Sequence, residues 1–102
     1  MFVFIYTPGP AWRTVKTVAE LPFYREHVRY IEQVFASRQL LMGGAFLDNQ
    51  GGLGILDVED ETQARSIVAH DPFVQAQVVE PHLHPWSAPY NQYRTRSTPS
   101  PS

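Results

Sequence analysis

The chain has no cysteine, so it carries no disulfide and no thiolate nucleophile, and nothing ties it to one redox compartment. It has no apolar run approaching the ~20 residues that cross a bilayer, which argues against a membrane partner. Nor is there an excess of one charge. Eight Lys and Arg against ten Asp and Glu leave a net −2, and the basic residues are scattered rather than gathered into the footprint of a nucleic-acid-binding protein. The aromatic residues, 13% of the chain, do not interleave with basic ones as a base-stacking surface needs. Neither glycine pair, Gly43-Gly44 or Gly51-Gly52, is followed by Lys-Ser/Thr and a helix, so no phosphate loop is present. No Ser-His-Asp order and no paired-carboxylate spacing stands out either.

What remains is a chain of 102 residues, 43% hydrophobic and 18% charged, long enough to bury one core without metal or disulfides. Met1 leads straight into an apolar stretch, with neither the basic region nor the small-residue cleavage site of a signal peptide. The expectation is a cytoplasmic, single-domain protein.

Phe2 to Tyr6 is short, β-branched and aromatic, and it stops at Thr7-Pro8-Gly9-Pro10, which reads as a buried strand and a breaker. After a loop holding Trp12, Pro22 suits the first turn of a helix. From Phe23 to Arg38 the residues Phe23, Tyr30, Ile31, Val34 and Phe35 share a helical face, with charges largely opposite. Leu40 to Phe46 predicts a second strand. Its Gly43-Gly44 pair suggests either a bulge or a close approach of a ligand to the backbone. Asp48 to Gly52 is a turn, and Leu53 to Val58 returns as a third strand. A cap between Asp57 and Asp60 opens a second helix running to His70. Phe73 to Ala76 adds a turn, and Val78 to Trp86 is a fourth strand whose Pro81 and Pro85 place it at a sheet edge. Ser87 to Ser102 is a Ser/Pro-rich tail, disordered or an arm against a partner.

The order β-α-β-β-α-β is the ferredoxin-like split βαβ unit, an α+β fold with an antiparallel four-stranded sheet and both helices on one face. Nothing in the chain is left to cover the other face. The expectation is therefore a homodimer formed through sheet faces, with a higher oligomer left open.

Two residues stand out for chemistry. His27 lies four residues after Phe23 and four before Ile31, which points it inward. It reads either as a structural histidine or as a proton-transfer group near neutral pH. Asp71 follows a helix C-terminus, where the backbone dipole disfavours a negative charge, yet Asp71-Pro72 is also an ordinary start for the next turn. In a βαββαβ fold the end of the second helix falls near the start of the first, so Asp71 could orient the His27 imidazole. His82, His84 and Trp86 project from one face of the last strand. His82 and His84 offer a metal pair to which His27 or Asp71 could add. Two histidines alone are not a site, so no metal site is assigned, although metal binding there is an alternative.

The opening "MFVFIY", "REHVRYIEQVFASRQLLMGGAF", "GGLGILDVEDETQA", "AHDPFVQAQVVE" and "HLHPW" together resemble the YciI-like (YCII-related) family over about residues 1–86. The resemblance implies the protomer of a dimeric α+β barrel, with His27 and Asp71 as a dyad in a cleft beside the sheet. It implies cofactor-independent chemistry of the isomerase or lyase kind, including dehydrochlorination of a chlorinated hydroxyhydroquinone. The family often carries a Ser-Gly-Pro-Phe-like end to the second strand. This chain reads Met42-Gly43-Gly44-Ala45-Phe46, so no hydroxyl or proline role carries over. The expected small-molecule ligand is a small aromatic or lactone-like compound, with Gly44, Phe46, Phe73 and Trp12 as its walls. The alternative is a non-catalytic protein that binds a small ligand or a metal.

Overall fold

The computed structural model describes residues 1–92. The part of the expected tail from residue 93 onward lies outside them. Four strands form one antiparallel sheet: β1 (Phe2–Pro8), β2 (Leu40–Ala45), β3 (Gly52–Leu56) and β4 (Val79–Pro85), in the order β2-β3-β1-β4. Three helices accompany them: α1 (Tyr24–Ala36), α2 (Glu61–Ala69) and the short α3 (Pro72–Gln75), with a 3-10 turn at Val18–Glu20. This is the expected α+β, ferredoxin-like βαββαβ fold, and β4 is an edge strand as its prolines require. No helix among the described residues is long and apolar enough to cross a membrane.

The alternation of β1 explains how the sheet divides its two faces. Phe2, Phe4 and Tyr6 are buried, whereas Val3, Ile5 and Thr7 between them are half-buried, as the period of two demands. The core lies on the first face, where Leu56, Val34, Val68 and Phe73 join the β1 aromatics. The second face carries Val3 and Ile5 opposite Ile55 and Leu53 on one side and opposite His84 and His82 on the other.

On β3 the residues facing the core are Gly52, Gly54 and Leu56, paired with Tyr6, Phe4 and Phe2. A side chain at Gly54 would collide with the Phe4 ring. That pairing of small against large explains a glycine in a strand interior. Gly51, at φ 120°, makes the turn into β3 with its Cα against the Tyr6 carbonyl.

Three expectations need correction. The bulge in β2 falls at Leu41, where the register shifts between Leu40 and Met42, rather than at Gly43-Gly44. Phe23 is not an inward helix residue. It stands just before α1 in a left-handed conformation (φ 64°), so the helical period does not govern it, and it is exposed. Phe35 is also exposed, because its neighbour Val34 takes the inward position on the last turn.

Candidate active site

The chain places the two helix ends together. Asp60 caps α2 by accepting from the Gln63 amide, and α2 runs to Ala69. Asp71 then caps α3, its Oδ1 accepting from the Phe73 amide at 2.9 Å. A carboxylate that seemed misplaced at one helix C-terminus is thus well placed at the next N-terminus. The Tyr30 hydroxyl donates to the Ile67 carbonyl at 2.6 Å, pinning α1 to α2, and His27 comes round on α1 to meet Asp71.

Asp71 is fully buried, and its carboxylate is surrounded by donors. Its Oδ1 and Oδ2 lie 2.8 and 2.9 Å from His27 Nδ1, and the Tyr6 hydroxyl donates to Oδ2 at 2.8 Å. With the Phe73 amide, three groups converge on one carboxylate, as a buried charge requires. A carboxylate only accepts, so Nδ1 must carry the hydrogen. In the neutral ring the lone pair then sits on Nε2, which has no protein partner among the described residues. The imidazole stacks face to face on Phe73, with ring centroids 4.0 Å apart and planes 6° from parallel.

Burial, and after it the adjacent Asp71 carboxylate and the hydrogen bond to it, hold the Tyr6 hydroxyl far above the ordinary tyrosine range. Burial and then the same carboxylate raise Tyr30. Both hydroxyls therefore remain protonated at any ordinary pH, and Tyr6 serves Asp71 as a fixed donor.

His27 opens onto a cavity of about 210 Å³ between α1 and the core face of the sheet. Trp12, Gly44 and Phe73 line it, as expected from the sequence, and so do Tyr24, Val28 and Ile31. Phe46 does not. It belongs to the turn, where its carbonyl accepts from Asn49, and strand alternation after Ala45 turns it away from the core face. Trp12 reaches the cavity because its loop is tied to the β4 end: the Ala11 amide donates to the Gln77 carbonyl at 2.9 Å.

Tyr6 is the site residue that sequence reasoning missed. It had a signal: it is the one hydroxyl in the apolar run Phe2–Tyr6, and a buried tyrosine O–H needs a partner. His82 and His84 are exposed on β4, away from this site. His82 Nε2 lies 3.0 Å from Thr7 Oγ1, and no group of three or more His, Asp or Glu side chains converges among the described residues.

Fold and geometry thus define a ferredoxin-like α+β protein in which a half-buried histidine, paired with a fully buried carboxylate, opens on an apolar cavity. The chain belongs to the YCII-related family, whose domain model matches residues 2–86. Among solved structures it is similar to 5-chloro-2-hydroxyhydroquinone dehydrochlorinase (TftG) from Burkholderia phenoliruptrix AC1100, in complex with 2,5-dihydroxybenzoquinone. That likeness has 24% sequence identity and a TM-score of 0.64, over 85% of this chain and 94% of that one; it shows the fold. No curated protein matches.

Proposed function

We propose that this protein is a small-molecule enzyme performing cofactor-independent proton transfer on a small aromatic or lactone-like ring, with His27 as the base and Asp71 as its orienting carboxylate. One observation carries the reading. A fully buried Asp71 holds the hydrogen on Nδ1 and so leaves Nε2 as the basic atom of the residue that lines the apolar cavity.

The chemistry follows from that arrangement. Nε2 takes a proton from a substrate O–H or C–H, and the imidazolium that forms is stabilised by the carboxylate at its other nitrogen. The electron pair left on the substrate has two outlets. If it shifts along the ring and the imidazolium returns the proton at another atom, the reaction is an isomerisation. If it expels a leaving group such as chloride, the reaction is an elimination. The dehydrochlorinase that this chain resembles in fold supports the second outlet. The apolar lining favours both, since excluding water strengthens the electrostatic contacts within the site.

The test is turnover of a panel of catechols, chlorinated hydroquinones and lactones by the wild type and two variants. His27→Ala is expected to lower kcat by about 10²–10⁴-fold, the usual share of general acid–base catalysis. Asp71→Asn, which keeps a side-chain oxygen for the Phe73 amide, is expected to lower kcat less than His27→Ala. A His27→Ala enzyme within twofold of wild type would sink the reading.

A further inference from the structure

The inference rests on the proton-transfer reading and narrows its substrate. The core-facing glycines of this sheet are not equivalent. A Cβ at Gly52 would stand 2.7 Å from the Gly44 carbonyl oxygen, Gly54 is covered by Phe4, and Gly51 is fixed by its φ. Gly43 has none of these reasons. Its φ is not positive, and a Cβ there would meet only the two Leu40 methyls and the Leu53 carbonyl oxygen at 3.5 Å, ordinary contact distances. Gly43 pairs with Gly54, so its missing side chain faces the core side of the sheet, where it lines the cavity together with Val28 and Ile31. The fold accepts a side chain at 43, and that side chain would stand in the cavity.

Two further observations describe the occupant. An apolar cavity of about 150 Å³ holds one benzene ring, so about 210 Å³ fits a single substituted ring. Among the described residues no Lys or Arg lines the cavity, and the Asp71 carboxylate stands behind His27, which does line it. A ligand carboxylate would be desolvated there without a cation and would face a charge of its own sign.

We propose that Gly43 is the specificity-determining position of the site: its bare backbone is the seat of one uncharged ring, and the size of the residue at 43 sets which rings enter. The site then selects uncharged phenols, catechols or enols over acids of the same shape.

The experiment is isothermal titration of the wild type, Gly43→Ala and Gly43→Val with catechol, 4-tert-butylcatechol and 3,4-dihydroxybenzoate. Circular dichroism melting checks that each variant folds, and Gly43→Ala, which meets only ordinary contacts, keeps the test informative where valine distorts the strand. For the wild type, 3,4-dihydroxybenzoate is expected to bind at least tenfold more weakly than catechol. Gly43→Val is expected to weaken 4-tert-butylcatechol more than tenfold and catechol less than threefold, with Gly43→Ala between wild type and valine. Unchanged affinities in both variants overturn the assignment of Gly43, and equal binding of catechol and its carboxylate overturns the selection by charge. Both results leave the proton-transfer reading standing. If the wild type binds none of the three, that reading falls as well.

Discussion

Replacing Tyr6 by phenylalanine should make the stability difference between the two proteins depend on pH in one direction only. At neutral pH the variant loses one hydrogen bond to a buried charge, a contact worth about 2 kcal/mol. The ring stays, so the packing against Phe4, 4.7 Å between centroids, is retained. In the unfolded chain Tyr6 titrates near its usual value of about 10, whereas burial beside Asp71 keeps it protonated when folded. The folded state therefore holds this proton more tightly. The contribution is whole below about pH 10 and is lost as pH rises, by about 1.4 kcal/mol per pH unit. The wild type pays this loss and Tyr6→Phe does not, so a gap of about 2 kcal/mol should close near pH ~11.5. Tyr30, which is raised in both proteins, and every other common group cancel in the difference. The assay is urea unfolding of both proteins by circular dichroism at half-unit steps from pH 8 to 11.5. A gap that stays constant across that range would refute the buried Tyr6–Asp71 contact.

Asp71→Ala removes the α3 cap and strands the Tyr6 hydroxyl. Denaturant unfolding should show a loss of about 3 kcal/mol, roughly one cap plus one buried unsatisfied donor, and a loss under 1 kcal/mol would contradict the burial of the network. Gly51→Ala places a methyl against the Tyr6 carbonyl at a positive φ. The expected cost is at least about 2 kcal/mol in the same assay, and a neutral result would mean the turn is built differently. The half-buried Val3, Ile5, Leu53 and Ile55 on the second sheet face are the surface through which we propose that the chain forms its homodimer. Light scattering should then give twice the chain mass for the wild type and the single mass for Ile5→Asp, whereas a monomeric wild type would rule the dimer out.

Much of the molecule was legible because the relevant signals are local. The β1 run, the α1 period, the Asp48–Gly52 turn and the prolines of β4 each determine an element through backbone sterics or a period, and those elements suffice for the topology. The approach of Asp71 to His27 followed from that topology, since the βαββαβ path brings the two helix ends together. What was not legible depends on contacts between strands. Tyr6 reads as one more apolar strand residue until the fold sets Asp71 opposite its hydroxyl. Phe46 looked like a cavity wall because strand length is uncertain by a residue, and a one-residue change in phase reverses the face. Phe23 fits the α1 period in the sequence, but its left-handed backbone removes it from the helix, a choice made by the loop that precedes it.

The Asp71 carboxylate is anchored to the backbone two residues ahead and to Tyr6 on another element, so its rotamer is set by folding alone. His27, stacked on Phe73 and bonded to that carboxylate, is aimed before any ligand arrives. A site of this kind is preorganised: its charges need little rearrangement during the reaction. For the proposed proton transfer, any motion that limits turnover must then lie at the way in and out of the cavity, and binding should leave amide hydrogen exchange across Asp71–Phe73 unchanged.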